Sequence, residues 1–468
     1  ILVATFVFFF LTYGYWVETL WNVHPAGNLR NFYRWTVLIG QIVLLALIGY
    51  AAIRRVKDPK AWTGGLNWFS CILLASPLLM SASRLAHSGT GGSRAVLNPQ
   101  NHPLLVHLQK PAERPDIYFI VLDAHGRNDV LRDQYHYDDT PFLQHLKDKG
   151  FFVADQSTSN YMWTMLSIGS TLNMRYLDDL SANNSAKWRE ITELLRDSML
   201  AAELRSVGYR TVAFESMEPW LCFDNADKYY KISNQVGISP LQQVILDTSV
   251  LSQLGGERLK THLIVDQFHL KREMMLYKLA KMPQVVPQAG PKFVFMHIYE
   301  PHTPFVFAAD GSDPIKRGYG SLLDGLNEDV TNAQYHAWYA EQAMYTDRVV
   351  AGMIDTILAR SKAPPVIVLI GDHGPRSGMK PEPSAADLHE CFGNLTAVYL
   401  PGKRKKALYP QITPVNLFRV VLNDYFDAGL PLLPDKCFYS YPDAYAWHEV
   451  TAVVRPSTEK VAAGGPKD

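Results

Sequence analysis

Long runs of apolar residues are concentrated in the first 86 residues, where charged residues are sparse. Three runs carry no Asp, Glu, Lys or Arg, namely residues 1–16, 35–53 and 66–82. A helix needs about 20 apolar residues to cross a bilayer, with about 17 as the lower limit. The second and third runs therefore predict membrane-spanning helices. The first run starts a chain without an initiator Met, so we expect a truncated N-terminus, which leaves room for further spans.

Two other interpretations of these runs stay open. The first run could be a secretory signal, although it lacks a basic segment and an obvious small-residue cleavage site. All three runs could also be buried helices of a soluble core, but their close succession favours membrane spans. We therefore expect about three transmembrane helices within residues 1–86.

Positive charges between the second and third runs predict the orientation of the chain. Arg54, Arg55, Lys57 and Lys60 crowd this short link, and such loops favour the cytoplasmic side of a membrane. The third span would then lead outward. Everything after about residue 86 is expected in the periplasm or outside the cell.

Beyond these runs the pattern becomes that of an α/β domain. Residues 87–114 are rich in Gly, Pro, Asn and Ser and predict a linker. Apolar stretches of strand length then alternate with helical patterns, which predicts a mostly parallel sheet with helices on both faces. The predicted strands are 116–123, 292–300, 365–372 and 395–402, the predicted helices are 140–150 and 333–360, and 199–216 predicts a helix, Gly208 and a strand. We expect a folded domain over 115–450 and a C-terminal tail over 451–468.

The length and composition of the chain argue against two classes of protein, nucleic-acid-binding proteins and disulfide scaffolds. At 468 residues the chain is longer than one average domain. The 45 basic residues balance the 45 acidic ones, so there is no electrostatic reason to expect nucleic-acid binding. Four cysteines are too few for a disulfide scaffold, although one disulfide among Cys222, Cys391 and Cys437 is chemically allowed in an exported domain.

Acids and histidines follow three of the predicted strands. Sites in open α/β sheets form at the carboxyl ends of strands. The three ends read "VLDAHG" with Asp123 and His125, "HIYEPHTPF" with His297, Glu300 and His302, and "GDHGPRSG" with Asp372, His373 and Arg376. Each set alone could be ordinary turn residues, but three together predict a shared site. Carboxylates with imidazole suit Zn²⁺ or Mn²⁺, with Mg²⁺ and Ca²⁺ as alternatives, better than a soft metal.

Several residues near these ligands have two interpretations. His125 could contact the ion or the substrate, or be a turn histidine at the rim of the site. Arg376 could bind an anionic substrate or form an ion pair. His297 lies inside an apolar strand, which favours a core histidine. The glycines of "GDHG" are expected to let the chain turn sharply, so that the acid and the imidazole face one ion.

A segment rich in hydroxyls offers a nucleophile. Residues 157–177 read "STSNYMWTMLSIGSTLNMRYL", and most of these hydroxyls fit a helix that packs closely on the sheet. Thr164 opens the helical pattern. At a helix start, a hydroxyl can reach a metal ion while backbone N–H groups face an anion. Position therefore favours Thr164.

Together these motifs resemble the sulfatase-like branch of the alkaline phosphatase superfamily. The resemblance rests on "PDIYFIVLDAHGR", "NYMWTMLSIGS", "HIYEPHTPF" and "LIGDHG", whose order and spacing match over about residues 115–440. The membrane-anchored layout is similar to lipoteichoic acid synthases and to phosphoethanolamine and phosphoglycerol transferases. The resemblance implies an alkaline-phosphatase-like fold and a bacterial inner (cell) membrane location, with a catalytic domain over 115–450 on the outer side.

The resemblance also implies roles for individual residues. Asp123, Asp372 and His373 take metal-ligand positions, and Thr164 falls at the position of the nucleophile, which also contacts the metal. His302 falls where the family holds the anionic group or the leaving group of the substrate. True sulfatases carry Cys-x-Pro-x-Arg with a cysteine oxidised to formylglycine, but the equivalent stretch here is "TMLSI". "EPH" stands where two-metal phosphodiesterases would have "EPD", so we expect a single ion and a phosphothreonine intermediate.

The leading hypothesis is a membrane-anchored transferase. It would move a phosphoglycerol- or phosphoethanolamine-type headgroup from a phospholipid to an envelope glycan or lipid. Many such transferases have Glu where Asp123 stands, which keeps open a second hypothesis, a hydrolase of phosphate or sulfate esters. A third hypothesis, a catalytically dead membrane scaffold, is disfavoured by the joint presence of Asp123, Thr164, Asp372 and His373.

Overall fold

The computed structural model describes residues 2–23, 30–55, 63, 108–109, 114–178, 180, 184–218, 220–221, 223–232, 256–314, 331–402 and 407–455. The chain divides into two compact units. One comprises residues 1–96 and 235–270, and the other comprises residues 97–234 and 271–468.

The first unit begins with two long helices, α1 (Leu2–Val23) and α2 (Arg30–Arg55). The hydroxyl of Tyr13 on α1 donates a hydrogen bond to the carbonyl of Arg34 on α2 at 2.9 Å. The first two apolar runs of the sequence therefore form helices that contact each other.

Helix α2 has the properties of a membrane span. Within the described part of the chain, residues 32–51 are the one helical stretch that is long and apolar enough to cross a membrane, with a mean hydropathy of 1.7. Large apolar side chains of this stretch are exposed, as contact with lipid requires: Trp35, Ile39, Ile42, Val43 and Leu47. The third apolar run and most of the expected linker lie outside the described residues.

The second unit is built on a central sheet. Its described strands are β1 (Ile117–Leu122), β2 (Phe152–Val153), β3 (Arg210–Phe214), β4 (Lys228–Tyr230), β5 (Lys292–Ile298), β6 (Val366–Gly371) and β7 (Thr396–Tyr399), and a small ribbon pairs β8 (Phe438–Tyr439) with β9 (His448–Glu449). The sheet order is β2-β7-β6-β1-β5-β3-β4. All pairs from β6 to β4 are parallel, whereas β7 pairs antiparallel with β6 and β2. The expected mostly parallel sheet is confirmed.

The helices after α2 include those predicted from the sequence. They are α3 (Asn128–Tyr135), α4 (Thr140–Asp148), α5 (Thr164–Asn173), α6 (Asn184–Arg196), α7 (Met199–Ser206), α8 (Gly256–Val285), α9 (Asn332–Arg360), α10 (Ala385–Phe392), α11 (Pro414–Phe426) and α12 (Thr451–Val454). The predicted helices and strands end within three residues of the observed ones. α12 falls in the expected tail, but its Val454 is buried in a cluster that also holds Cys391 and Cys437, both free thiols.

Both faces of the central strands are covered, which explains why their sequences are continuously apolar. The odd-numbered residues of β1 belong to a large apolar cluster with residues of α5, α7 and α11. The even-numbered residues of β1 are equally inaccessible to solvent.

The register of the sheet assembles the predicted site. β1 lies between β5 and β6, so that Leu122 is paired with both Ile298 and Gly371. Because these strands are parallel, the residues that follow them emerge at the same edge. Asp123 and Asp372 are the first residues beyond β1 and β6.

The glycines of "GDHG" have a different role from the one we expected. Neither Gly371 nor Gly374 has a positive φ, so the turn does not need the conformational freedom of glycine. A Cβ on Gly371 would lie 2.2 Å from the carbonyl oxygen of His125, and one on Gly374 would lie 2.0 Å from that of Glu390. The glycines are needed for the close approach of neighbouring backbones.

Candidate active site

Three buried polar side chains meet at the ends of β1 and β6. Asp123, Asp372 and His373, here named the Asp372 cluster, are each at most 1% exposed. His373 Nε2 lies 3.6 Å from Asp123 Oδ1 and 3.5 Å from Asp372 Oδ2. The structure thus brings the three predicted metal ligands close enough together to coordinate one ion.

Backbone contacts set the directions of these side chains. The N–H of Ala124 donates to Asp372 Oδ1 at 3.0 Å, which ties the turn after β1 to the turn after β6. His373 Nδ1 donates to the carbonyl of Gly374 at 2.8 Å, so the lone pair of Nε2 faces the cluster. Ala124 has a φ of 60°, in the left-handed region that non-glycine residues rarely adopt. Such strained residues occur preferentially at functional sites.

The spacing of the Asp372 cluster fits a divalent ion. With bonds of about 2.0–2.1 Å, neighbouring ligand atoms around tetrahedral Zn²⁺ lie about 3.3 Å apart, close to the 3.5 and 3.6 Å found here. Asp372 Oδ2 is buried and has no hydrogen-bond partner in the described part of the chain. Burial and the Asp123 carboxylate raise the pKa of Asp372 to about 7. A cation would relieve this repulsion between two buried carboxylates.

The hydroxyl of Thr164 adjoins the cluster. Thr164 is the first residue of α5, as predicted, and its Oγ1 lies 3.2 Å from His373 Nε2. One turn later, Ser167 donates a hydrogen bond of 2.6 Å to the carbonyl of Asp372 and anchors α5 to the end of β6. The hydroxyls of Ser170 and Thr171 instead donate to carbonyls of their own segment.

His297 lies closer to the cluster than the sequence indicated. It is buried in β5, as expected of a core histidine, but its Nε2 lies 3.2 Å from Asp123 Oδ2. Its Nδ1 lies 2.9 Å from Ser216 Oγ. Burial lowers the pKa of His297 to about 4, so the ring is neutral at neutral pH. The 3.2 Å approach to Asp123 is a close contact, not a well-formed hydrogen bond, because Nε2 has no hydrogen-bond partner in the described part of the chain.

His302 and Arg376 lie side by side near the start of α5. Arg376 donates to His302 Nε2 at 3.3 Å and to the carbonyl of Met162 at 2.7 Å, and its guanidinium lies over the ring of Trp163. A guanidinium can only donate, so His302 Nε2 accepts. The proton of the ring is on Nδ1, which donates to the next carbonyl at 2.5 Å. The structure thus brings two predicted substrate-binding residues together.

His125 belongs to a second buried group. His125, Asp139 and Asp347, here named the Asp347 cluster, again combine two carboxylates with an imidazole. His125 Nε2 lies 2.7 Å from Asp347 Oδ1, and Nδ1 donates to the carbonyl of Gly126 at 2.9 Å. Burial alone would lower the pKa of His125, but Asp347 raises it above its ordinary value. Because Nε2 is directed at the buried carboxylate of Asp347 and away from the Asp372 cluster's ligand atoms, the structure gives no support to the predicted substrate contact of His125.

Two further residues lie at the sheet edge that carries the site, and the sequence patterns did not indicate them. β3 lies beside β5, and the residues that follow it also face the site. Ser216 contacts His297, and Glu218 lies close enough to Asp123 and His302 for their charges to act on it. Burial, followed by Asp123, raises the pKa of Glu218. Because β3 itself was predicted, the residues after it could have been examined in the same way as those after the other strands.

About two thirds of the chain match a known family. The sequence profile described as Sulfatase matches residues 115–421. A search of curated proteins finds no match.

Solved structures of low sequence identity are similar to this chain. The C-terminal periplasmic domain of EcEptC from Escherichia coli has 14% identity and a TM-score of 0.47, with 73% of this chain and 94% of that chain covered. The integral membrane protein lipooligosaccharide phosphoethanolamine transferase A (EptA) from Neisseria meningitidis has 13% identity and a TM-score of 0.45, with 90% and 78% covered. The C-terminal periplasmic domain of phosphoethanolamine transferase EptC from Campylobacter jejuni has 12% identity and a TM-score of 0.42, with 69% and 92% covered.

Proposed function

The chain belongs to the sulfatase family of the alkaline phosphatase superfamily, whose enzymes transfer phosphoryl or sulfuryl groups, and we propose that it is a membrane-anchored, metal-dependent phosphotransferase. It moves a phosphoglycerol- or phosphoethanolamine-type headgroup from a phospholipid to an envelope glycan or lipid. The reaction passes through a covalent phosphothreonine at Thr164.

The observation that carries this proposal is the position of the Thr164 hydroxyl. Its Oγ1 lies 3.2 Å from His373 Nε2, at the first residue of α5. The N-terminus of a helix presents free backbone N–H groups and the positive end of the helix dipole. A phosphate group placed there would meet the nucleophile and a favourable field together.

The proposed ligands of one divalent ion are Asp123, Thr164, Asp372 and His373. Zn²⁺ or Mn²⁺ suits this set, with Mg²⁺ and Ca²⁺ as alternatives. A bound ion would polarise a phosphoryl oxygen and stabilise the deprotonated hydroxyl of the nucleophile.

The chemistry proceeds in two displacements at phosphorus. First, Thr164 Oγ1 forms a bond to phosphorus while the bond from phosphorus to the lipid alcohol breaks. The hydroxyl of Thr164 loses a proton and the departing lipid alcohol gains one. Next, a hydroxyl of the acceptor loses its proton and forms a bond to the same phosphorus, while the bond from phosphorus to Thr164 Oγ1 breaks and Thr164 regains a proton.

Arg376 and His302 would bind the oxygens of the phosphoryl group in both steps. Because Arg376 donates a hydrogen bond to His302 Nε2, the neutral ring has no proton on that nitrogen. To donate to a phosphoryl oxygen, His302 would have to take up a proton on Nε2, which an adjacent anionic phosphate favours. The same proton would be needed for the alternative role, protonation of the leaving group.

Hydrolysis of a phosphate or sulfate ester on the same site is the second candidate. It is favoured by Asp123, which stands where many similar transferases have Glu and where sulfatases have Asp. The formylglycine mechanism of sulfatases needs a cysteine at the nucleophile position. Thr164 occupies that position, which favours phosphoryl transfer.

Helix α2 supports the membrane part of the proposal. Its apolar stretch exposes large side chains over 20 residues, and Arg54 and Arg55 follow at its end. By the positive-inside rule this end faces the cytoplasm. The third apolar run of the sequence, residues 66–82, would then lead the chain outward. An anchored domain on the periplasmic or extracellular side of a bacterial inner membrane would meet lipid donors directly.

The test follows the phosphate of a labelled donor. The full chain in detergent, loaded with Zn²⁺ or Mn²⁺, is mixed with radiolabelled phosphatidylglycerol or phosphatidylethanolamine and quenched with acid. We expect label on the protein, in the peptide that contains Thr164. Addition of an acceptor lipid or glycan should move the label from the protein to the acceptor.

The decisive variant is Thr164→Ala. It should lose the protein-bound label and at least about 10³-fold in turnover, while the ion stays bound. Thr171→Ala is the matched control, since Thr171 lies on the same helix and donates to the carbonyl of Ser167. Full activity of Thr164→Ala would overturn the assignment of the nucleophile. Release of free headgroup without transfer would favour the hydrolase.

A further inference from the structure

Helix α9 contacts the turns on both sides of the site. Tyr339, Gln342 and Asp347 are spaced so that they lie on the same side of the helix, and at most 2% of each is exposed. Their side chains bond to the segments that follow β1 and β5. None of these three residues belongs to the motifs that identified the site in the sequence.

Tyr339 and Asp347 hold the turn that follows Asp123. The hydroxyl of Tyr339 donates to the carbonyl of Ala124 at 2.8 Å and accepts from the N–H of Gly126 at 3.2 Å. Asp347 Oδ1 accepts from His125 Nε2 at 2.7 Å. Three successive residues beyond Asp123 are thus bonded to α9.

This turn needs external support. Ala124 is in the left-handed region, with φ at 60°, and a strained conformation persists only where its surroundings enforce it. Asp347 is itself fixed, because Tyr137 donates to its Oδ2 at 2.6 Å. The direction in which Asp123 leaves β1 therefore depends on side chains of α9.

Gln342 holds the segment that presents His302. Its amide nitrogen donates to the carbonyls of Pro301 and His302 at 3.1 and 2.9 Å. Its amide oxygen accepts from the N–H groups of Val306 and Phe307 at 2.7 and 3.2 Å. One buried side chain thereby fixes the backbone on both sides of a tight segment.

We propose that α9 sets the position of the metal ligand Asp123 relative to the substrate residue His302. Asp347 and Tyr339 are positioning residues for Asp123, and Gln342 is a positioning residue for His302. The inference rests on the proposed function, in which Asp123 binds the ion and His302 binds the substrate phosphate. The residues of α9 touch neither and act through the two turns.

The metal arm of the test measures zinc affinity of the full chain in detergent by competition with a chelating dye. Asp347→Asn and Tyr339→Phe should each weaken zinc binding by about 10-fold, at the low end of outer-sphere effects. The matched control is Asp355→Asn, the same change on the same helix. Asp355 is exposed and pairs with His145 and Lys149, so zinc affinity should not change.

The phosphate arm titrates inorganic phosphate into the zinc-loaded chain. Gln342→Glu keeps an oxygen for the N–H groups of Val306 and Phe307 and removes the amide donors that bind the His302 segment. We expect phosphate affinity to fall about 10-fold while zinc affinity stays at the wild-type value. Asp355→Asn should again match the wild type.

Residues that only stabilise the fold would not weaken zinc binding in one set of variants and phosphate binding in another. Wild-type zinc affinity in both Asp347→Asn and Tyr339→Phe would overturn the proposal, as would a parallel loss of both affinities in every α9 variant. If the wild type binds two zinc ions and Asp347→Asn removes one whole equivalent, the Asp347 cluster is itself a metal site and the positioning role is wrong. Neither arm uses turnover, so a failure of the phosphotransfer proposal would be seen separately.

Discussion

Two buried clusters in the same domain have the same composition and different geometry. Each combines two carboxylates with one imidazole. In the Asp372 cluster, the histidine nitrogen lies 3.5 and 3.6 Å from the carboxylates. In the Asp347 cluster, it lies 2.7 Å from its partner. The shorter distance is that of a hydrogen bond, whereas about 3.3 Å separates neighbouring ligands of a tetrahedral Zn²⁺.

The comparison shows that the hydrogen-bond partners of a carboxylate–imidazole cluster decide its role more than its residue types do. In both clusters, Nδ1 of the histidine donates to the carbonyl of the next residue. Nε2 of His125 then meets Asp347, whose other oxygen accepts from Tyr137. Nε2 of His373 meets Thr164 Oγ1, while Asp372 Oδ2 has no hydrogen-bond partner in the described part of the chain. The first arrangement stabilises a turn, and the second is suited to bind an ion.

The largest expected effect is that of Asp372→Asn. Loss of a charged ligand should abolish the zinc-dependent rise in thermal stability of the full chain and lower turnover by at least about 10³-fold. Without metal, the variant should be more stable than the wild type, because one of two repelling buried carboxylates is gone. Thermal unfolding with zinc and with a chelator measures both effects. Asp139→Asn is the matched control, and loss of the zinc effect there but not in Asp372→Asn would reverse the comparison.

An intermediate effect is expected from the pH dependence of Asp139→Asn. Burial, followed by the charge of Asp347, raises the pKa of Asp139 to about 6 from an ordinary value of 3.8. The protonated form is favoured in the folded state, so stability is present at low pH and is lost as the pH rises through about 6. Asn cannot ionise. The free energy of unfolding of the variant, relative to wild type, should therefore rise by about 2 kcal/mol from pH 4 to pH 8.

Urea unfolding of the full chain at several pH values would measure this difference. Asp138→Asn, at the neighbouring position, should change little between pH 4 and pH 8. A hydrogen bond from Thr140 lowers the pKa of Asp138, so its contribution changes only at lower pH. Asp139 Oδ2 is buried without a hydrogen-bond partner in the described part of the chain. Parallel pH profiles for Asp139→Asn and wild type would contradict the raised pKa of this carboxyl.

The smallest expected effect is that of Gly371→Ala, which acts where the two clusters meet. The new Cβ would lie 2.2 Å from the carbonyl oxygen of His125, so backbone must shift at a cost of about 1–3 kcal/mol in the free energy of unfolding. Gly352→Ala, in the middle of α9, has no atom within 4 Å of its Cβ. This control should gain about 0.5–1 kcal/mol. Equal stabilities of the two variants would contradict the close approach of the turns.

Sequence patterns predicted the Asp372 cluster well because its residues follow strands. The apolar runs of β1 and β6 can be recognised as strands in the sequence, and parallel strands end at one edge of a sheet. The start of α5 can be recognised too, because the helical pattern of residues begins at Thr164. The structure confirms these elements and brings the predicted ligands together.

The Asp347 cluster could not be predicted from the sequence, for two physical reasons. Asp123 and His125 are two residues apart, which in a strand would place them on one face, but the left-handed Ala124 turns them apart. Asp347 lies inside the long helix α9, where an acid in the stretch "MYTDRVV" resembles any surface residue. Its role depends on which loop packs against the helix, and periodicity carries no information about that.

The hydrogen bond between Ala124 and Asp372 joins positions that are 248 residues apart in the chain. Synthesis begins at the N-terminus, so β1 emerges long before β6, the strand that leads into Asp372 and His373. Contacts between such distant segments form late in folding. The proposed site could therefore take up an ion only after β6 has paired with β1. With the domain in its proposed place outside the cytoplasm, the supply of metal ions there, as well as the ligands, would decide which ion is bound.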